Sequence, residues 1–166
     1  MGLSYTKQVN EDFKVRMTWW YHKLKSLDLN AKTRQDVWLK FMLCWMMLDA
    51  FLTEISRTGT DIKKLEYFYR EESDFKTRLL SKWNSLKGYG LRFKNLSPIH
   101  DMRPGSTKTR SVTDENNLEE VFNFVYQIRC NLFHGAKSVN SSEDYEFVKV
   151  GEGFLRICID SLMGQN

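Results

Sequence analysis

Apolar residues recur at threes and fours along most of this chain. Phe13, Met17, Trp20, Leu24 and Leu27 form one such series, which predicts a first amphipathic helix. A polar break from Asn30 to Thr33 follows, and Thr33 is placed to cap the next helix. Val37, Phe41, Cys44, Trp45, Leu48, Leu52 and Ile55 then predict a second helix, apolar enough to be buried on more than one face. Thr58-Gly59-Thr60-Asp61 reads as a stop and restart. Ile62, Leu65, Phe68 or Tyr69, Phe75, Leu79 and Trp83 continue as a third helix, with a break at Glu71 to Ser73. From Asn84 to Glu115 no period survives, and Gly88, Gly90, Pro98, Pro104 and Gly105 fall there, so this stretch reads as a long loop. Leu118, Val121, Phe122, Val125, Ile128 and Leu132 mark a helix from Asn117 to Phe133. Ser141-Ser142-Glu143 caps a last one that runs to about Met163 through Val148, Phe154, Leu155, Cys158 and Leu162.

These elements predict an all-α fold: an up-and-down bundle of about five helices with a long loop before the fourth. With 166 residues the chain is expected to form a single domain over 1–166. A 42% hydrophobic and 14% aromatic content excludes wholesale disorder. Only two prolines and nine glycines are present, too few turn signals for a β-sandwich. Trp19, Trp20, Trp38 and Trp45 lie in apolar helices and are assigned to the core rather than to base stacking.

Charge adds a second pattern. Lys82, Lys87, Arg92, Lys94, Arg103, Lys108 and Arg110 stand against a single acid, Asp101, so this segment carries +6 of a chain whose net charge is +4. A basic concentration of this kind suits a polyanion, or is a solvated connector. Cys44, Cys130 and Cys158 make an odd count without a Cys-x-x-Cys, which suits a reduced, cytoplasmic protein; Cys44 and Cys158 sit on apolar stripes. The longest unbroken apolar run, Phe41 to Leu48, is far short of the ~20 residues of a membrane span, so no membrane association is expected. No zinc spacing, nucleotide loop or Gly-x-Ser-x-Gly elbow is present, and no cofactor or metal is expected.

The chemistry concentrates in Arg129-Cys130-Asn131-Leu132-Phe133-His134-Gly135. Arg129 lies within the apolar stripe of its helix, between Val125 and Leu132, where a charge has to be paired, snorkelled or opened to a cleft or partner surface. An Arg braces phosphate oxygens with paired hydrogen bonds, and a His moves protons near neutrality. Arg16 and His22 have a similar spacing, but they sit in a Trp-rich amphipathic run with no glycine after the His and are set aside.

The string from Tyr126 to Lys137 resembles the signature of the HEPN superfamily, in its Arg-x-x-x-x-His ribonuclease branch. Phe41-x-x-x-Trp45-x-x-x-Asp49-Ala50-Phe51-Leu52-Thr53 is similar to the second helix of plasmid- and phage-defence members, and Asp144 with the closing helix also fits. Many relatives carry Asn, Asp or His directly after the Arg; here Cys130 stands there and Asn131 follows. The resemblance implies a small all-α domain, pairing of two copies through the motif helix, and metal-independent RNA cleavage through a 2′,3′-cyclic phosphate in a toxin or phage-defence role. An antitoxin or sensor chain would then be a partner. It implies Arg129 as the phosphate brace and His134 as the proton carrier. Asn131 would contact phosphate or orient the imidazole, and Lys137, Arg103, Lys108, Arg110, Lys94 and Arg92 would hold RNA. On one straight helix Arg129 and His134 lie about 140° apart. Either the turn at Gly135 re-aims the imidazole, or two chains build one cleft. The alternatives are a non-catalytic dimeric module that binds RNA or a partner protein, and a structural bundle in which Arg129 is a paired core residue.

Overall fold

Thr33 opens the second helix as its sequence predicts: its hydroxyl accepts from the Asp36 amide while the Asp36 carboxylate accepts from the Thr33 N–H at 2.7 Å. The computed structural model describes residues 9–30, 33–57, 59–70, 74–86, 88–135, 138 and 140–164. Among them the chain runs α1 (Glu11–Asn30), α2 (Arg34–Ser56), α3 (Asp61–Arg70), α4 (Asp74–Ser85), α5 (Tyr89–Leu96), β1 (Ile99–His100), β2 (Thr109–Arg110), α6 (Leu118–Phe133) and α7 (Ser142–Leu162). The fold is therefore all-α, with one two-stranded antiparallel hairpin pairing Ile99 with Arg110 and His100 with Thr109. Asn117 caps α6 by accepting from the Glu119 and Glu120 amides, and Ser141 caps α7 by accepting from Asp144.

α2 packs most extensively on α7, and α6 lies against both α7 and the hairpin. The core is aromatic at its centre. The Phe154 ring meets Phe122 at 4.7 Å, Trp83 at 5.4 Å and Phe93 at 5.9 Å, each edge to face. α1 is tied on by charge as well as packing. Tyr21 donates to Asp160 at 2.8 Å, and Arg156 of α7 pairs with Asp28. Burial, reinforced by the Asp160 bond, pushes the Tyr21 hydroxyl well above its ordinary range. Cys44 and Cys158 are fully buried, as their stripe positions predict.

The third series is divided into α3 and α4 on either side of Glu71 to Ser73, the residues of its expected break, which fall outside the described residues. Two other expectations change. The stretch 84–115 is not a bare loop. It holds α5, anchored by the buried Phe93, and the hairpin, anchored by Ile99 and Val112. α5 begins in main-chain contact with the segment entering α6: a Cβ on Gly90 would stand 2.0 Å from the Glu115 carbonyl oxygen. Trp19 is 57% exposed, not core, and its ring is covered by the Lys23 ammonium at 5.3 Å. Trp45 is buried and Trp20 partly so. No described helix is long and apolar enough to cross a membrane.

Candidate functional site

Arg129 sits near the C-terminal end of α6, where the apolar core gives way to an open face carrying Asn123, Tyr126 and Phe133. Its side chain is 26% exposed. The guanidinium lies 4.5 Å from the centre of the half-exposed Phe133 ring and 5.9 Å from that of Trp45 on α2. Nη1 is 3.4 Å from Oδ2 of Asp61, the first residue of α3. Among the described residues Nε is buried without an acceptor. Asp61 is shared: its Oδ1 is 3.6 Å from Nζ of Lys64, and that lysine, 7% exposed, also holds Asp49 of α2 at 2.7 Å. The charge in the apolar stripe is thus stacked and loosely paired at the edge of an open face, rather than sealed in the core.

His134 is the C-cap of α6, exposed, with backbone φ −85° and ψ 7° and its amide donating to the Cys130 carbonyl at 3.1 Å. The chain reverses only at Gly135, whose φ of 69° suits a residue without Cβ. α6 thus ends at Phe133, with His134 outside the helix and the reversal following directly at Gly135. Helical spacing alone sets the two positions about 140° apart around the axis, and of the residues between them Phe133 is exposed, Tyr126 half-buried and Cys130 buried.

The hairpin covers the neighbouring flank of α6. Arg110 lies over the Tyr126 ring at 5.7 Å, and Tyr126 meets Trp45 at 6.1 Å. Burial first, then a hydrogen bond shared with Cys130, pushes the Tyr126 hydroxyl up to about 12. Arg103 is within electrostatic reach of Cys130 and Tyr126, and is held by Asp101 through Nε at 3.0 Å and Nη2 at 2.6 Å. Arg110 and Arg129 thus stand against one group of aromatic rings, Tyr126, Trp45 and Phe133. Lys108 is exposed on the hairpin, its carbonyl accepting from Asp101. Arg92 and Lys94 are exposed on α5, which meets α6 through Phe93 and Phe124 and has Arg92 over Tyr89 at 5.0 Å. Lys87 and Lys137 lie outside the described residues.

Asn131 is 1% exposed and turned inward. Its Oδ1 accepts from Met102 N at 3.1 Å and Gln127 Nε2 at 3.0 Å, and its Nδ2 donates to the His100 carbonyl at 2.8 Å. In this arrangement it pins the hairpin to the motif helix and presents nothing to a ligand, so the expected phosphate contact or imidazole orientation is not what its amide does here. Cys130 is likewise buried, under Tyr126. Asp61, Lys64 and Tyr126 are the site residues that periodicity and spacing did not single out. Among the described residues no group of three or more His, Cys, Asp or Glu side chains is arranged to hold a metal ion.

Asp101 organises the hairpin turn, accepting from Arg103 and from the Ser106 hydroxyl at 2.8 Å. The Arg103 bonds hold its carboxyl well below the usual carboxylate range. A folded pKa below the unfolded one gives stability that is complete above about pH 4 and is lost only as pH falls through the lower value. The amide signals of Met102 and Arg103, followed by NMR from neutral pH downward, are therefore expected to stay native through the range where free carboxylates titrate. A hairpin transition near pH ~4 would contradict this role for Asp101.

Comparison with protein-family models, with curated proteins and with solved structures returns no match for this chain.

Proposed function

We infer that this protein is an endoribonuclease of HEPN type, acting in a toxin or phage-defence setting under an antitoxin or sensor chain. In the reaction the 2′-hydroxyl of RNA attacks the adjacent phosphorus and the bond to the 5′-oxygen breaks, leaving a 2′,3′-cyclic phosphate and a 5′-hydroxyl. Arg129 offsets the growing charge on the phosphate oxygens. His134 takes the proton from the 2′-hydroxyl and returns it to the leaving oxygen. Arg110 supplies further positive charge beside Tyr126, whereas Arg103 is held and neutralised by Asp101. The observation that carries this reading is the placing of Arg129: a partly exposed permanent cation against the Phe133 ring, with the exposed His134 at the end of the same helix.

Separation around the helix axis leads to a second element of the reading. Two copies pair across the open faces of their α6 helices, so that Arg129 of one and His134 of the other serve one phosphate. Without such pairing, the same separation favours a non-catalytic module that grips RNA or a protein. Incubating the protein with mixed RNA in excess EDTA distinguishes the two. Cleavage with cyclic-phosphate ends that Arg129→Ala abolishes supports the enzyme; retention of RNA without new ends supports the binding module.

A further inference from the structure

Two Arg–Asp pairs flank the α6 face, and they are built differently. Arg103 and Asp101 are locked: both carboxylate oxygens are used, at 2.6 to 3.1 Å, and the carboxylate is fully buried. Arg129 and Asp61 are not. Their closest approach is 3.4 Å, longer than a charge-assisted hydrogen bond, and both side chains reach solvent. The other oxygen of Asp61 already faces Nζ of Lys64 at 3.6 Å. A carboxylate released from Arg129 therefore keeps a cation beside it and is not left uncompensated. Arg129 in the free protein is neutralised without being held.

We propose that Asp61 is an internal counter-anion for Arg129, which an incoming phosphate displaces, with Lys64 retaining the displaced carboxylate. Asp61 is then a positioning residue. It holds the guanidinium at the edge of the open face against Phe133 and Trp45, and it sets the affinity threshold for polyanions. This rests on the RNA reading above.

The test uses a short labelled RNA of mixed sequence, 2′-O-methylated throughout so that it cannot be cleaved, with binding read by fluorescence anisotropy. Asp61→Asn is expected to tighten binding by about three- to fivefold, the scale of an exposed ion pair. In an Arg129→Ala background the same change is expected to give no gain, which a general structural effect would not reproduce. Asp61→Ser, which keeps an oxygen for the first turn of α3, is read in the same way. With the unaltered protein, the Asp61 carboxyl carbon resonance is expected to shift as RNA is added. If Arg129→Ala weakens binding while Asp61→Asn does not tighten it, or if the Asp61 resonance stays fixed while RNA binds, the exchange is wrong and the RNA reading stands. If Arg129→Ala leaves affinity unchanged, the RNA reading fails at this site and the exchange fails with it.

Discussion

Alanine at His134 is expected to lower RNA cleavage by about 10²–10⁴-fold, the usual contribution of one positioned acid–base group. Thermal stability is expected to stay close to that of the unaltered protein. The imidazole is exposed, and the bond that closes α6 uses the backbone amide to the Cys130 carbonyl at 3.1 Å, which alanine keeps. The sharper outcome comes from mixing His134→Ala with Arg129→Ala after dissociation and reassociation. Each variant alone lacks one group in every cleft. In a mixed pair, one cleft takes its Arg and its His from intact sources and the other has neither. Random pairing then restores roughly a quarter of full activity. Mixed dimers that form and stay inactive would show that the two groups do not meet across copies.

Phe154→Ala is expected to cost about 3–5 kcal/mol, measured by urea unfolding. The ring is fully buried and makes edge contacts with Phe122, Trp83 and Phe93, so alanine removes its own burial together with the edges of three other aromatic contacts. Those partners come from α6, α4 and α5, which leaves little scope for collapse into the space. A domain of ordinary stability, about 5–15 kcal/mol, loses a large fraction of it. Phe154→Leu, which keeps most of the volume, is expected to lose far less. Equal losses for the two would mean that the ring's own edge contacts, rather than the filling of space, carry the effect.

Long elements with a strong period were legible in the sequence. The stripes of α2, α6 and α7 are in place, and Thr33 and Ser141 start helices because each offers an oxygen to amides at a fixed offset. Shorter elements were not. α5 spans only eight residues with Phe93 as its main anchor, and a hairpin of two-residue strands carries no detectable alternation. Within the site, Arg129 was legible as an anomaly because a charge interrupts an apolar stripe. Its partner was not: Asp61 lies far away in sequence, and any surface acid would read the same. Asn131 shows a different limit. Two of its three partners are the Met102 amide and the His100 carbonyl, groups that nearly every residue carries, so nothing in the sequence marks them as its partners.

The junction at Gly90 bears on how the motif helix can be moved. Main chain rests on main chain there, so trimming side chains cannot loosen the approach to α6, whereas a single added methyl drives a wedge into it. Enlarging this residue thus forces a shift at the entry to α6 while the residues of the Arg–His string stay unaltered.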